Sequence, residues 1–314
     1  MTAREATRGI RLAKAWRGLW IGVVIVAACA AARAEQLTVA TYNLENYLAT
    51  DRFFDGAYRR GFPKPEAEKT ALRAVIRAAN ADVLAVEELG ARPYLKELQR
   101  DLRRDGCDYP YAELLEADDP DRHVAVLSRR PFASVTRHTD LKLKYFGAQE
   151  AVKRGLLEVR FAVAGGEVAV FIVHLKSRFT DRSDDPLSAV RRAGEAEAIR
   201  DRVLQRFPEP QKARFLIVGD FNDAPGSRPL RALCQRGSVR IGEPLPAEDS
   251  RGETWTHRFR KEDSYSRVDY VVVSPGLKDA VAAGRARIVD VLPQTRDASD
   301  HRPVLVTLQL PDVN

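Results

Sequence analysis

Eight short runs dense in β-branched residues punctuate the chain and constrain its fold more than any other feature. They are QLTVATY (36–42), ADVLAV (81–86), HVAVLS (123–128), GLLEVRFAV (155–163), EVAVFIV (167–173), RFLIVG (214–219), VDYVVV (268–273) and PVLVTLQL (303–310). Their length and composition predict strands rather than helices. Gly165 and Gly166 separate two of the runs and predict a hairpin turn. Helical periodicity lies between runs. Leu72, Val75, Ile76 and Ala79 mark one face of residues 65–80, with Pro65 suited to a first turn. Leu95, Leu98 and Leu102 mark a second helix. A third is predicted over 187–207, with Leu187, Val190, Ile199, Val203 and Phe207 inward. Strands and helices mixed with a hairpin give an α/β sandwich rather than a purely parallel sheet.

The sequence has 314 residues, 45% apolar and 30% charged, which excludes a disordered chain. No repeat and no Pro/Gly/Ser-rich linker divides it, so one domain over 35–314 is expected. The first 34 residues differ in kind. Arg4, Arg8, Arg11, Lys14 and Arg17 precede the apolar stretch LWIGVVIVAACAAA, and Ala32-Arg33-Ala34 supplies small residues at a cleavage spacing. That layout predicts an export signal removed after Ala34, and a periplasmic or extracellular protein. Two alternatives stand beside it: an uncleaved anchor, and acylation at Cys29, since Val26-Ala27-Ala28-Cys29 resembles a bacterial lipobox. This segment carries six Lys/Arg and one Glu, or +5 of the formal +7, leaving about +2 on the remainder. The high charge is therefore no footprint of nucleic acid. Cys107 and Cys234 remain; a disulfide between them and two free thiols are both open.

Apolar runs end in polar groups. The first leads to Asn43 and Glu45, the second to Glu87 and Glu88, the fifth to His174, the sixth to Asp220, Asn222 and Asp223. Asp269 and the pair Asp300-His301 instead precede their strands. If those two strands run antiparallel to the others, all these groups share one rim. Acids so gathered repel one another unless a cation is present. An oxygen-rich set suits Mg²⁺ or Mn²⁺, and there is no Cys/His cluster of zinc spacing. A histidine oriented by a carboxylate serves as a general base. Metal, base and hydrogen-bond donors together suit attack of water on a phosphate ester.

The segments TYNLEN, ADVLAVEE, VAVLSRRPF, VHLKS, VGDFND, RVDYVVVS and SDHRPV occur in the order found in the endonuclease/exonuclease/phosphatase superfamily, which the chain resembles over nearly all of 35–314. The resemblance implies a four-layered α/β sandwich of two packed mixed sheets flanked by helices. It implies that Glu88 is the principal metal carboxylate, with Asn43 beside the metal and Asp300 a further metal or water ligand. His174 would contact the scissile phosphate, Asp220 and Asn222 would hold the nucleophile and phosphoryl oxygens, His301 would be the base and Asp269 the acid that orients it. Glu45 is an acidic neighbour, and Arg154 is open between phosphate contact and surface charge. Glu87 departs from the family, where many relatives have glutamine; it is expected to face solvent or an arginine.

Arg191 and Arg192 are expected on a solvated helix face, and His123, His138 and His257 in structural or surface places. The expected activity is metal-dependent phosphodiester hydrolysis by a monomer, with nucleic acid as substrate. The alternatives are a sphingomyelinase-type enzyme acting on membrane lipid, and a binding module without catalysis. Exposed aromatics for a bilayer are offered by RFFDGAY (Phe53, Phe54, Tyr58) and KYFG (Tyr145, Phe146).

Overall fold

A computed structural model describes residues 35–291 and 293–310. The expected signal segment, its cleavage point and Cys29 lie outside the described residues. Among the described residues no helix is long and apolar enough to cross a membrane.

The principal strands are β1 (Glu35–Tyr47), β2 (Val83–Leu89), β3 (Tyr111–Leu115), β4 (His123–Ser128), β5 (Ser134–His138), β6 (Leu156–Val163), β7 (Gly166–His174), β8 (Phe215–Asp220), β9 (Asp269–Val273), β10 (Ala286–Ile288) and β11 (Val304–Leu310). All eight runs read from the sequence form strands. One sheet has the order β10-β11-β1-β2-β4-β3, extended beyond β10 by Ala247–Glu248. The other has the order β9-β8-β7-β6-β5, extended beyond β9 by Glu243–Pro244. Both are mixed: β1 and β2 are parallel, as are β7 and β8, while β11 is antiparallel to β1 and β9 to β8. The two strands that begin with acids thus run against their neighbours, and their starts meet the other strands' ends.

The layers follow from strand alternation. Val39, Val83, Ala85, Val170, Ile172, Leu216, Val218, Val271 and Val306 belong to the core between the sheets. The opposite parity of β1 and β2 packs under α1 (Glu66–Ala79) and α2 (Arg92–Arg104). On the other sheet Phe171, Phe215 and Ile217 pack with Ile199 and Val203 of α3 (Ala189–Arg206) and with Leu230 and Leu233 of α4 (Arg228–Cys234). The result is helix, sheet, sheet, helix. Fully burying a valine or leucine is worth about 1.5–3 kcal/mol, so these three clusters outweigh any single ion pair at the surface.

Helix ends follow local chemistry. Pro65 precedes α1, Glu66 and Glu68 occupy its first turn, and Asn80 closes it at φ 50 with its amide on the Ile76 carbonyl. α3 begins later than its periodicity predicts. The Asp185 carboxylate accepts the amides of Val190 and Arg191 at 3.1 Å each, so the helix starts at Ala189 and Leu187 and Val190 are exposed.

Arg191 and Arg192 are buried, against expectation. Arg192 donates to the Asp223 carboxylate and to the carbonyls of Lys176 and Leu187, and Arg191 pairs with Glu150 and Glu195. Arg192 ties the 176–188 loop to the turn after β8, Arg191 ties α3 to Glu150 and Ala151, and their donors are spent internally. Cys107 lies in the α1/α2 layer and Cys234 beside the α3/α4 layer, both as free thiols. The sandwich stands between them, which excludes the disulfide.

Candidate active site

The rim is assembled by register. His174, Asp220 and Asp269 are consecutive cross-strand partners at the ends of β7 and β8 and the start of β9. Gly219, immediately before Asp220, permits this pairing. Its φ is +143°, and a Cβ there would fall 1.9 Å from the Val173 carbonyl oxygen on β7. On the other sheet β1 delivers Asn43, and the approach to β11 delivers Asp300 and His301. Two hydrogen bonds close the rim across the sandwich. Asn43 Nδ2 donates to Asp220 Oδ2 at 3.0 Å, and His301 Nδ1 pairs with Asp269 Oδ2 at 2.9 Å.

Around those bonds the groups are closely placed. His301 Nε2 lies 4.0 Å from Asp220 Oδ2 and 3.9 Å from Asp300 Oδ1. His174 Nε2 lies 3.7 Å from Asp220 Oδ2. Asn222, at φ 54, donates its backbone amide to Asp220 Oδ1 at 2.8 Å and its Nδ2 to Asp220 and to the Leu175 carbonyl. The Ser299 hydroxyl donates to the Asn43 carbonyl and accepts the His301 amide, fixing the last loop against β1.

Burial sets the electrostatics. Asp220 is raised above the usual carboxylate range, first by burial and then by the charge of Asp269. Burial works to lower His301, but Asp269, then Asp220 and Asp300, hold it well above an ordinary histidine. His174 is held well below, by burial and then by the charge of Arg154, so it is neutral. Burial works to raise Asp300, and the imidazoles of His257 and His301 bring it down to about 2.

Glu88 is positioned by a kink. The β1–β2 and β2–β4 registers both shift there, Glu88 has φ 58, and its carboxylate accepts the Asn46 amide at 2.9 Å. Glu45 accepts the Asp300 amide and pairs with Arg260 and Lys64, yet burial and then the charge of Asp300 hold it above an ordinary carboxylate. Arg154 is buried rather than a surface charge. Its Nε is 2.9 Å from Asp119 but misaligned, which leaves Nε and Nη1 without hydrogen-bond partners.

Glu87 corrects an expectation. It is fully buried on the face shared by Val83 and Ala85, and accepts the Thr41 hydroxyl at 2.7 Å. Burial pushes it well above the carboxylate range, and Asp269 and Asp220 push the same way. A neutral carboxylic acid is nearly isosteric with glutamine, which accounts for glutamate where many relatives have the amide. Strand parity was the signal that pointed inward. His257, expected in a structural or surface place, also belongs here. A bridge pairs it with His301, and its Nε2 is 3.6 Å from Asp300 Oδ2. Nothing in the pattern of its own segment marked it.

The rim offers groups able to hold a divalent metal ion. Asp220, Asp269 and His301 bring ligand atoms within 4.8 Å of one another, as do His257, Asp300 and His301. Asp269 Oδ1 and both ring nitrogens of His174 are buried without hydrogen-bond partners. Native interiors rarely tolerate such orphans unless a ligand, ion or water satisfies them.

Comparison with known proteins agrees with this geometry. The sequence profile described as Endonuclease/Exonuclease/phosphatase family matches residues 40–301. No curated protein matches the chain by sequence. Similar solved structures include sphingomyelinase C from Streptomyces griseocarneus, 17% identical with a TM-score of 0.58 over 87% of this chain and 99% of that one. An endonuclease/exonuclease/phosphatase from Bacteroides vulgatus is 15% identical, with a TM-score of 0.61 over 88% and 99%. Truncated TDP2 from Caenorhabditis elegans is 14% identical, with a TM-score of 0.55 over 88% and 99%. At these identities the structures share the fold.

Proposed function

From the premise that this chain belongs to the endonuclease/exonuclease/phosphatase family, we propose that it is a divalent-metal-dependent phosphodiester hydrolase that cleaves nucleic acid by in-line attack of water. The observation that carries the proposal is the His301–Asp269 bond joining the two sheets beside Asp220. Glu88, Asn43 and Asp300 would hold Mg²⁺ or Mn²⁺, which supplies positive charge against the phosphoryl oxygens and the charge that develops on them. Of the charges that raise His301, that of Asp300 would be offset by the cation, and Nε2, 4.0 Å from Asp220 Oδ2, is the nitrogen left to take a proton from water. Asp269 fixes the ring and steadies the imidazolium. His174, neutral and without an internal partner, has a ring N–H for the phosphate or the leaving oxygen. Buried Arg154 has unused N–H donors for the same group.

The nucleic acid assignment rests on a cavity of about 520 Å³ that opens beside Asp300. Trp255 and Tyr265 line it together with Arg258, Arg260, Arg296 and Arg302. Arg258, Arg260 and Arg302 pair with Asp263, Glu45 and Asp249, and Arg302 covers the Trp255 face, so exposed Tyr265 and Arg296 are the groups offered to a base and a phosphate, a pairing that suits a nucleotide chain. A lipid substrate has one observation in its favour. The hairpin of Thr50–Phe54 and Ala57–Phe62 follows β1 directly from the rim and exposes Phe53 (76%) and Tyr58 (64%). All named groups come from one chain, so a monomer suffices. Export, on the strength of residues 1–34 alone, belongs to the same proposal.

The deciding experiment incubates the protein with plasmid, RNA, sphingomyelin vesicles and bis(p-nitrophenyl) phosphate, with Mg²⁺ or with chelator, beside His301→Ala. Nicked plasmid or degraded RNA that requires both ion and His301 supports the proposal. Phosphocholine release with intact nucleic acid transfers it to lipid. Turnover that survives both chelation and His301→Ala rejects the mechanism.

A further inference from the structure

His257, Asp300 and His301 form a cluster in which only His257 has no role in the hydrolytic reaction. Their ligand atoms lie within 4.8 Å of one another. His257 Nε2 to Asp300 Oδ2 is 3.6 Å, and His301 Nε2 to Asp300 Oδ1 is 3.9 Å. Those separations are long for hydrogen bonds. They are close to the edge of a tetrahedron around a zinc ion with bonds of about 2.1 Å, which is ~3.4 Å. The two imidazole rings are 4.6 Å apart and inclined by 43°, a geometry that lets both nitrogens turn toward the Asp300 side.

The cluster is prearranged. A bridge joins His257 to His301, the Arg258 amide donates to the Asp300 carbonyl at 2.8 Å, and the Arg302 amide donates to the Thr256 carbonyl at 2.7 Å. The Thr256 hydroxyl in turn accepts the amides of Val268 and Asp269. The His301 ring is held from behind by Asp269 at 2.9 Å. A carboxylate on the far nitrogen is the support that metal-binding histidines commonly have. The side chains of His257 and Asp300 are 22% and 27% exposed, so an ion can enter from solvent.

We propose that His257, Asp300 and His301 form an inhibitory site for a zinc-class transition ion, overlapping the catalytic centre. Two imidazoles and one carboxylate favour such an ion over Mg²⁺. Binding occupies the Nε2 lone pair of His301 that would accept the proton from water, and it takes Asp300 from the hard-cation set. The two ions therefore compete. His257 takes no part in hydrolysis; its role is to complete the inhibitory site. The inhibitory consequence rests on the hydrolase reading above, whereas ion binding itself rests on geometry alone.

The test has two arms. In the first, Co²⁺ is titrated into the wild type, His257→Ala and His257→Asn, with Mg²⁺ in fixed excess, and visible absorption is recorded. Zn²⁺ is then added to displace the signal. A strong tetrahedral-type band in the wild type, absent from both folded variants, is expected. In the second, Zn²⁺ inhibition of bis(p-nitrophenyl) phosphate hydrolysis is measured relative to each protein's own uninhibited rate. Inhibition relieved by more Mg²⁺, and weakened at least about tenfold by either His257 substitution, is expected. A band that persists unchanged in both variants would place the ion on Asp220, Asp269 and His301 and overturn the proposal. Hydrolysis by a protein that shows no Co²⁺ band displaced by Zn²⁺ also overturns it. A His257-dependent band in a protein that hydrolyses no phosphodiester sinks the hydrolase reading and leaves the ion site standing.

Discussion

Asp269→Asn isolates the orienting role of the carboxylate. The His301 Nδ1 to Asp269 Oδ2 separation is 2.9 Å, and both groups are buried. At an effective dielectric of about 20, a charge pair at that distance is worth about 6 kcal/mol. Remaining charges on Asp220 and Asp300 compensate part of the loss, so a fall in kcat/KM of roughly 10³-fold is expected, less than the roughly 10⁴-fold seen when the orienting aspartate of a catalytic triad is neutralised. The pH profile carries the sign. Asp269 holds His301 up, so removing its charge lowers the histidine and moves the acid limb of activity to lower pH. The assay is bis(p-nitrophenyl) phosphate hydrolysis across pH at saturating Mg²⁺, with a thermal melt to show that the variant folds. A folded variant whose kcat/KM stays within about threefold of wild type, a change under ~0.7 kcal/mol, would refute the reasoning.

Four other outcomes follow from the same structure. Glu87→Gln exchanges one neutral acceptor of the Thr41 hydroxyl for another, so kcat/KM should stay within about threefold of wild type and the melting temperature should change little, a neutral hydrogen bond being worth only ~0.5–1.5 kcal/mol. Gly219→Ala should yield little folded protein by gel filtration and circular dichroism, because its methyl collides with the Val173 carbonyl. Burial works to raise Glu158, but hydrogen bonds from His138, Arg206 and Arg160 bring it to about 2. Its folded value lies below its unfolded value, so the stability it adds is present above about pH 4.3 and is lost as pH falls toward 2. A shift of that size corresponds to roughly 3 kcal/mol, so Glu158→Gln should melt lower at pH 7 and show a shallower acid transition in denaturant titrations. Finally, chelation should abolish hydrolysis reversibly, and melting curves should rise with added Mg²⁺ in the wild type but much less in Glu88→Ala.

How far the site was legible depends on the range of the interactions involved. Period-two runs and their polar ends are local, so the strands, Asn43, Asp220, Asp269 and His301 were readable from the sequence. Even the inward face of Glu87 was written in its parity with Val83 and Ala85; the expectation of a solvent-facing acid gave too much weight to charge. Leu187 fits a helical period, yet lies before the helix, which starts at Ala189 over the Asp185 carboxylate, and Val190 in its first turn stays exposed.

Alternating apolar residues by themselves determined that this chain makes sheets whose edges carry acids, amides and histidines, since backbone geometry turns every second side chain to one face. Which of those groups touch was decided only when the two sheets packed. The bonds Asn43–Asp220 and His301–Asp269 cross between sheets, and the meeting of His257 with Asp300 and His301 depends on a loop folding back onto the last strand. Packing likewise buried Arg191 and Arg192 and placed Cys107 and Cys234 in opposite outer layers. Contacts between distant segments depend on shape and register across the whole interior, and no local pattern contains that information.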